Sequence, residues 1–406
     1  MESNMITFER AIKLLKENIF VLEPVKIPVI KSTSHILAED IFSPINLPSF
    51  TNSAMDGYAV RIDDTCYKTE DKNIFAVFKL RRNKIKAGDS KRIVLKPGEA
   101  IKIFTGSPLP VNTDTVIIKE ITEEREGFLF VKEKFGIGKN IRYEGEEIKK
   151  GDKILEKGFY FTPPAIGLLS TLGIKEVRVI RKPKVYVIIT GSEIVLPGKK
   201  LKYGKIYDAN SFSLFSALKM AGVQDIKIKR VRDDFLYIKK VFNQSLGFAD
   251  IIIFTGGISV GEYDFVRELF KKENVEKVFY KVLQKPGKPM FFGKKGKKLV
   301  FALPGNPASV LVCFYEYVYP ALRKMMGFKE IFLKEEKKIL LKDIKKKPER
   351  LWFLKGRIIK NGVIPLDFQE SHMLSSFARA DCLIVAPKNR KLLKKGEKVK
   401  VHLLPF

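Results

Sequence analysis

The chain has 406 residues, 45% of them apolar, with 76 lysines and arginines against 46 acids, a formal charge of +30. This length holds two to four domains with real cores, and no stretch approaches the roughly 18 uninterrupted apolar residues of a membrane span. Cys66, Cys313 and Cys382 and His35, His372 and His402 are scattered without CxxC spacing, which supports neither a disulfide framework nor a zinc cluster.

The charge invites a nucleic-acid reading, but no DNA- or RNA-binding motif accompanies it. The lysines are spread along the chain, in pairs such as Lys149-Lys150, Lys199-Lys200 and Lys271-Lys272. We therefore expect a solvated, lysine-biased surface with no specific nucleic-acid partner and no membrane partner. Met1 to Lys16 is mixed and charged, without an apolar signal core, so a cytoplasmic protein is expected.

In chain order, Ile6, Phe8, Ile12, Leu15 and Ile19 recur at helical spacing over residues 4–22, and Thr7 is placed to cap that helix. After Pro24 come short β pieces, Val25–Ile30, Ile36–Leu37 and Ile41–Phe42. Residues 51–141 form a strand-rich block punctuated by Ala87-Gly88-Asp89, Lys96-Pro97-Gly98 and Glu126-Gly127. A further β set over 150–180 surrounds a short helix, Pro163 to Leu172, with its prolines in the first turn.

From Pro183 strands and helices alternate. Strands are predicted at Val185–Thr190, Ile226–Val231, Ile251–Phe254 and Leu299–Leu303; helices at Ser211–Ala221, Phe235–Gln244, Phe265–Lys272 and Ala308–Met326. That alternation predicts a parallel, doubly wound sheet. Beyond Gly327 the β pattern returns at Ile339–Leu341, Leu351–Leu354, Arg357–Ile359 and Cys382–Ala386.

In a doubly wound sheet, ligands collect at the carboxyl ends of strands. Gly191-Ser192-Glu193, Arg232-Asp233-Asp234 and the run from Thr255-Gly256-Gly257-Ile258-Ser259 to Asp264 all begin where a strand should stop. Any one acid there could simply cap a helix. Three of them, Glu193, Asp233 and Asp264, beside glycine turns suit a Mg²⁺–phosphate site, because Mg²⁺ takes few carboxylates and keeps phosphate oxygens and waters. Lys285-Pro286-Gly287-Lys288-Pro289 presents two lysines on a proline-stiffened loop, and Leu303-Pro304-Gly305-Asn306-Pro307 leads a strand into a helix N-terminus. Asp56, in Ser53-Ala54-Met55-Asp56-Gly57-Tyr58-Ala59-Val60, and Thr105-Gly106 read in isolation as turn residues.

Taken together, those four motifs resemble the MoeA family of molybdopterin molybdenumtransferases, which includes the E domain of gephyrin, from near residue 4 to residue 406. The resemblance implies an α/β molybdopterin-binding domain from 4–23 and 183–327, and a small β-domain from 24–45 and 148–182. It also implies a β-rich lobe, 51–141, and a C-terminal β-barrel-like domain, 328–406. The implied activity is insertion of molybdate, or tungstate, into adenylated molybdopterin with Mg²⁺-dependent release of AMP. A homodimer is implied, with the lobe of one subunit facing the α/β domain of the other, and a molybdopterin adenylyltransferase would stand as a partner. Carried over by position, the catalytic set is Asp56, Thr105, Glu193, Asp233 and Asp264, with Glu193, Asp233 and Asp264 as metal ligands. The substrate-binding set is Arg142, Gly256, Gly257, Ser259, Lys281, Lys285, Lys288, Pro304, Gly305, Pro307, Arg350 and Ser371. Glu147 stands where the family often has aspartate, and Asp381-Cys382 replaces its usual Asn-Gly.

Two other functions stay open. A molybdopterin adenylyltransferase typically carries Thr-Gly-Gly-Thr-Gly, whereas this chain has Thr255-Gly256-Gly257-Ile258-Ser259. A gephyrin-like scaffold would have no need of acids at three strand ends.

Overall fold

The computed structural model describes residues 5–67, 69, 71–258 and 265–406. The first helix runs Phe8–Asn18, with the Thr7 hydroxyl accepting the Arg10 N–H at 3.2 Å. It is shorter than the periodic stretch because Ile19 turns extended, although Ile19 and Leu22 still reach the same core as Ala11 and Leu15.

That core belongs to a six-stranded sheet in the order Ile226–Val231, Val185–Thr190, Ile251–Thr255, Lys298–Leu303, Phe291–Lys295, Glu276–Tyr280. The first four strands are parallel, and Phe291–Lys295 runs against both of its neighbours. The sheet is therefore mixed rather than wholly parallel. Its last two strands escaped the sequence reading because lysines fill their ends, as at the Lys295–Lys298 turn, and mask the apolar period.

Successive side chains on a strand point to opposite faces, and the sheet is wound on both. Val185, Val187, Ile189, Ile253, Phe301 and Leu303 pack beneath the first helix, Asn210–Met220 and the closing helix. Tyr186, Ile188, Ile252, Phe254 and Val300 pack against Phe235–Leu246 and Phe265–Lys272. Burying each such side chain contributes roughly 1.5–3 kcal/mol, enough to fix the register and thus which loops meet at the strand ends. The closing helix, predicted over 308–326, is Pro307–Cys313, a π turn at Phe314–Val318, then Tyr319–Met325. Pro320 has no N–H to give the turn before it, and the Tyr319 N–H bonds back to the Phe314 carbonyl instead.

Three other units surround this sheet. Pro24–Pro28 pairs antiparallel with Glu176–Ile180, and Ile41–Phe42 with Lys153–Leu155, over a core that includes Phe161, Leu169 and Val179. The lobe is a six-stranded sheet, Thr115–Ile118, Gly57–Val60, Glu99–Ile103, Ala76–Ile85, Phe128–Val131, Thr122–Arg125. At the C-terminus, Leu351–Ile359, Gly362–Pro365, Glu335–Leu340, Lys398–Leu403 and Cys382–Ala386 pair in a closed five-strand ring. The chain is thus a multidomain assembly of a central doubly wound α/β unit with β-rich units around it. No helix among the described residues is long and apolar enough to cross a membrane.

Candidate active site

Strands 1 and 3 of the alternation, Val185–Thr190 and Ile251–Thr255, lie side by side with the second strand outside them. Their connections leave the sheet in opposite senses, which opens a crevice between the two carboxyl ends. Tight turns are enforced there. Gly256 and Gly257 have φ of 83° and 63°. A Cβ on Gly256 would fall 2.8 Å from Thr190 Oγ1, and one on Gly257 2.7 Å from Val266 Cγ2. Only glycine permits this approach.

The resulting cleft, of about 550 Å³, is lined in part by Thr190, Gly191, Glu193 and Asp233. Two acid-bearing loops are tied reciprocally: the Ser192 N–H donates to Asp233 Oδ2 at 2.9 Å, and the Asp233 N–H to Ser192 Oγ at 3.2 Å. Asp234, one residue on, caps Phe235–Leu246 by accepting the Tyr237 N–H at 2.6 Å. The adjacent aspartates thus divide the two duties open to a strand-end acid. Among the described residues no group of three or more His, Cys, Asp and Glu side chains gathers at metal-binding distance. Two carboxylates lining one cleft nevertheless fit Mg²⁺, which needs only one or two when a phosphate supplies further oxygens. Asp264 and Ser259 lie outside the described residues.

The rest of the lining includes Asp208, Asn210, Gly305, Asn306, Pro307 and His372. Asp208 is a third acid here, missed in the sequence, but its charge is engaged. It accepts from Arg230 Nε, from the Ser211 N–H at 2.9 Å and from Ser211 Oγ at 2.6 Å. Asn210 donates through Nδ2 to the Gly305 carbonyl at 2.7 Å. Two buried polar atoms of the cleft lining, Asn210 Oδ1 and Thr255 Oγ1, have no hydrogen-bond partner among the described residues.

The helix N-terminus after Pro304-Gly305-Asn306 does not face the cleft with open amides, as the sequence suggested. Pro307 has no N–H, and the N–H groups of Ala308 and Ser309 donate to the Ser371 carbonyl at 3.1 and 3.4 Å. Asn306 Nδ2 adds a bond to Ser371 Oγ at 2.7 Å. The C-terminal ring thereby delivers Ser371 and His372 to the rim. The residue that holds this delivery loop is Lys355, only 2% exposed. Its Nζ donates to the carbonyls of Phe368, Met373 and Glu370 at 2.8, 3.3 and 3.4 Å, and burial pushes its ammonium down to about 8. Sequence reading passed over it as one lysine among many; the apolar strand flanking it was the available signal.

Lys281, Lys285 and Lys288 are not among the residues lining the cleft. Gln284–Lys285 instead pairs parallel with Leu351–Trp352 of the ring, and Lys285 Nζ lies 3.2 Å from Glu370, over the Trp352 ring at 4.6 Å. It stands next to Ser371, at the rim. Lys281 has φ of 64° and its ammonium sits over Tyr280 at 5.1 Å. Pro304 lies just behind the lining residues Gly305 and Pro307, and Arg350 immediately precedes the ring strand that receives Lys285.

Asp56, Thr105 and Arg142 gather elsewhere, on the lobe. Thr105 donates both its N–H and its hydroxyl to Asp56 Oδ1, each at 2.8 Å. These bonds, the backbone one first, hold the Asp56 carboxyl below its ordinary range. Arg142 pairs with Asn52 on the short ladder that enters the same loop. Gly57 is glycine because a Cβ there would lie 2.0 Å from the Ile117 carbonyl oxygen, so the Asp-Gly pair serves strand packing rather than a turn. None of the three lines the central cleft.

A doubly wound sheet whose switch-point crevice combines two carboxylates, glycine turns and further polar lining residues defines an α/β protein that binds a small polar ligand at its strand ends. Residues 6–173 match the MoeA N-terminal region (domain I and II), 186–324 the family described as "Probable molybdopterin binding domain", and 337–404 the MoeA C-terminal region (domain IV). The chain is 37% identical to a molybdopterin molybdenumtransferase of Haemophilus influenzae over 99% of each chain. It is 34% identical to one of Staphylococcus epidermidis over 98% of this chain and 95% of that one. Two structures of a molybdopterin biosynthesis MoeA protein from Pyrococcus horikoshii superpose with TM-scores of 0.84 and 0.75 at 31% and 29% identity. They cover 98% and 99% of this chain, and 99% and 100% of theirs. This chain belongs to the MoeA family.

Proposed function

We propose that this protein is a molybdopterin molybdenumtransferase, inserting molybdate or tungstate into adenylated molybdopterin with release of AMP. The observation that carries the reading is Glu193 and Asp233 lining one switch-point cleft in a chain 37% identical, end to end, to a protein of that name. Glu193 and Asp233, with Asp264, would hold Mg²⁺ against the pyrophosphate. When bound, the ion would draw charge off the phosphoryl oxygens and so ease loss of AMP. The Gly256-Gly257 turn lets the ligand approach bare backbone. Lys285 and Ser371 at the rim, with Lys288 and Arg350, would receive the tetrahedral oxyanion, a dianion suited to lysine, arginine and hydroxyl donors.

Asp56, Thr105 and Arg142 are absent from the lining of this cleft, and a second subunit would supply them to it. A homodimer in which the lobe of one copy faces the cleft of the other brings the two half-sites together. A molybdopterin adenylyltransferase would supply the adenylated substrate. The test is to incubate the protein with adenylated molybdopterin, Mg²⁺ and each oxyanion, following AMP and pterin-bound metal. AMP release and metal incorporation should rise together. Neither product above a protein-free control would overturn the reading, and an AMP adduct made from ATP and molybdopterin alone would reassign the protein as the adenylyltransferase.

A further inference from the structure

The two unpartnered atoms of the cleft point to a part of the substrate that neither the acids nor the lysines would recognise. Asn210 is 8% exposed and Thr255 1%, so bulk water does not satisfy them, and buried polar groups in native proteins are almost always hydrogen-bonded. They belong to one patch. Asn210 is fixed to the Gly305 carbonyl, Thr255 immediately precedes Gly256, and a Cβ on Gly305 would lie only 3.8 Å from Gly256 Cα.

The chemistry of the patch is directional. The Gly305 carbonyl can only accept, so the Asn210 amide must turn its NH₂ toward it, which leaves Oδ1 as the buried, unanswered end of a side chain that lines the cleft. A carboxamide oxygen only accepts, and so do phosphate and oxyanion oxygens. The nearest competing acid, Asp208, is already engaged by Arg230 and Ser211. The group missing opposite Asn210 must therefore be a donor.

Resting on the molybdenumtransferase reading, we infer that Asn210 Oδ1, with Thr255 Oγ1, recognises an N–H-bearing ring edge of the substrate. The chemistry required is an amino-substituted heterocycle, which adenylated molybdopterin carries twice, on the pterin and on the adenine. The anionic part of the substrate would then be left to Glu193 and Asp233, which line the same cleft, and the patch fixes which way round the substrate sits. Asn210 and Thr255 act as binding and specificity residues, with no step of bond making or breaking assigned to them.

The test uses the full-length chain with Mg²⁺ and equilibrium titration of two matched pairs: 6-hydroxymethylpterin against its 2-desamino counterpart, and AMP against purine riboside monophosphate. Wild type should prefer the amino member of one pair by roughly 10-fold or more, because a site built for a donor rejects the analogue lacking it. The pair that discriminates identifies the ring that sits on Asn210. Asn210→Ala should abolish that preference. Thr255→Val, which removes an oxygen with no hydrogen-bond partner among the described residues, should weaken the amino member by about 3–10-fold while Tm holds or rises. Equal affinities within both pairs, or a preference that survives both substitutions, would overturn the inference and leave the molybdenumtransferase reading standing. Failure of wild type to bind any of the four probes would overturn both.

Discussion

The central cleft and the lobe each present an acid on a loop beside a strand, yet they solve the problem of holding it differently. In the cleft, Asp233 is tied to Ser192 across two strand ends, and Asn210 Oδ1 and Thr255 Oγ1 have no partner among the described residues. On the lobe, Asp56 is half-buried, and its Oδ1 already accepts from both donors of Thr105. The first arrangement is incomplete without a ligand. The second is a finished, rigid half-site that needs another surface brought to it. A partly unsatisfied cleft binds; an acid held ionised by its own loop waits for apposition.

The sharpest way to break this contrast is to separate the two halves genetically. Asp56→Ala and Asp233→Ala should each lower molybdate insertion by about 10²–10³-fold, the scale for removing one preorganised electrostatic group. Purified mixed dimers carrying one of each should regain activity, since one of their two shared sites is intact; AMP release measures this. Mixed dimers as inactive as their parents would mean that both acids act within one chain.

A smaller effect tests whether the cleft lining depends on the C-terminal ring. Lys355→Met leaves the Phe368, Glu370 and Met373 carbonyls without their cation, and should cost roughly 2–4 kcal/mol in urea unfolding. Amide exchange around Ser371 should accelerate in this variant and be largely restored in Lys355→Arg. Unchanged exchange would remove the ring from the account of the cleft.

The smallest effect concerns the joint between the small β unit and the sheet. Arg181 bonds Asp250 at 2.7 and 2.8 Å, at the start of the third strand, and also Glu23 at 2.5 Å. Burial alone would raise the Asp250 carboxyl, but the Arg181 and Lys184 bonds outweigh it and the net shift is downward from 3.8. A carboxyl lowered in the folded state stabilises the protein above its unfolded value and loses that contribution as pH falls through the folded one. Acid melts should therefore steepen below about pH 4. Asp250→Asn should flatten that dependence, at a cost of about 1–2 kcal/mol near neutrality. An identical acid profile in the variant would show that the joint carries no such linkage.

Much of this architecture is legible in the residues. Thr7 reads as a cap and is one, and the β-branched runs at Val185–Thr190 and Ile251–Thr255 read as buried parallel strands and are so. The acids at strand ends could be placed at one edge of the sheet from alternation alone. What stayed hidden was the use of each acid. Asp233 and Asp234 are neighbours of the same type, and only the helix that starts at Phe235 makes one a cap while the other turns to the cleft. The Arg230 partner of Asp208, the Gly305 partner of Asn210 and the carbonyls held by Lys355 lie 22, 95 and 13 to 18 residues away, beyond the reach of local pattern.

Sequence by itself determined the periodicities, the glycine turns and the family's motifs, since these depend on local backbone preference and on residue type at short spacing. The tertiary structure alone decided that Ser371 occupies the closing helix's first amides, that Lys285 joins the C-terminal ring, and that Asn210 is left with an unanswered oxygen. Hydrogen-bond satisfaction is a property of the assembled neighbourhood, and no pattern along a chain records which donors have already been taken.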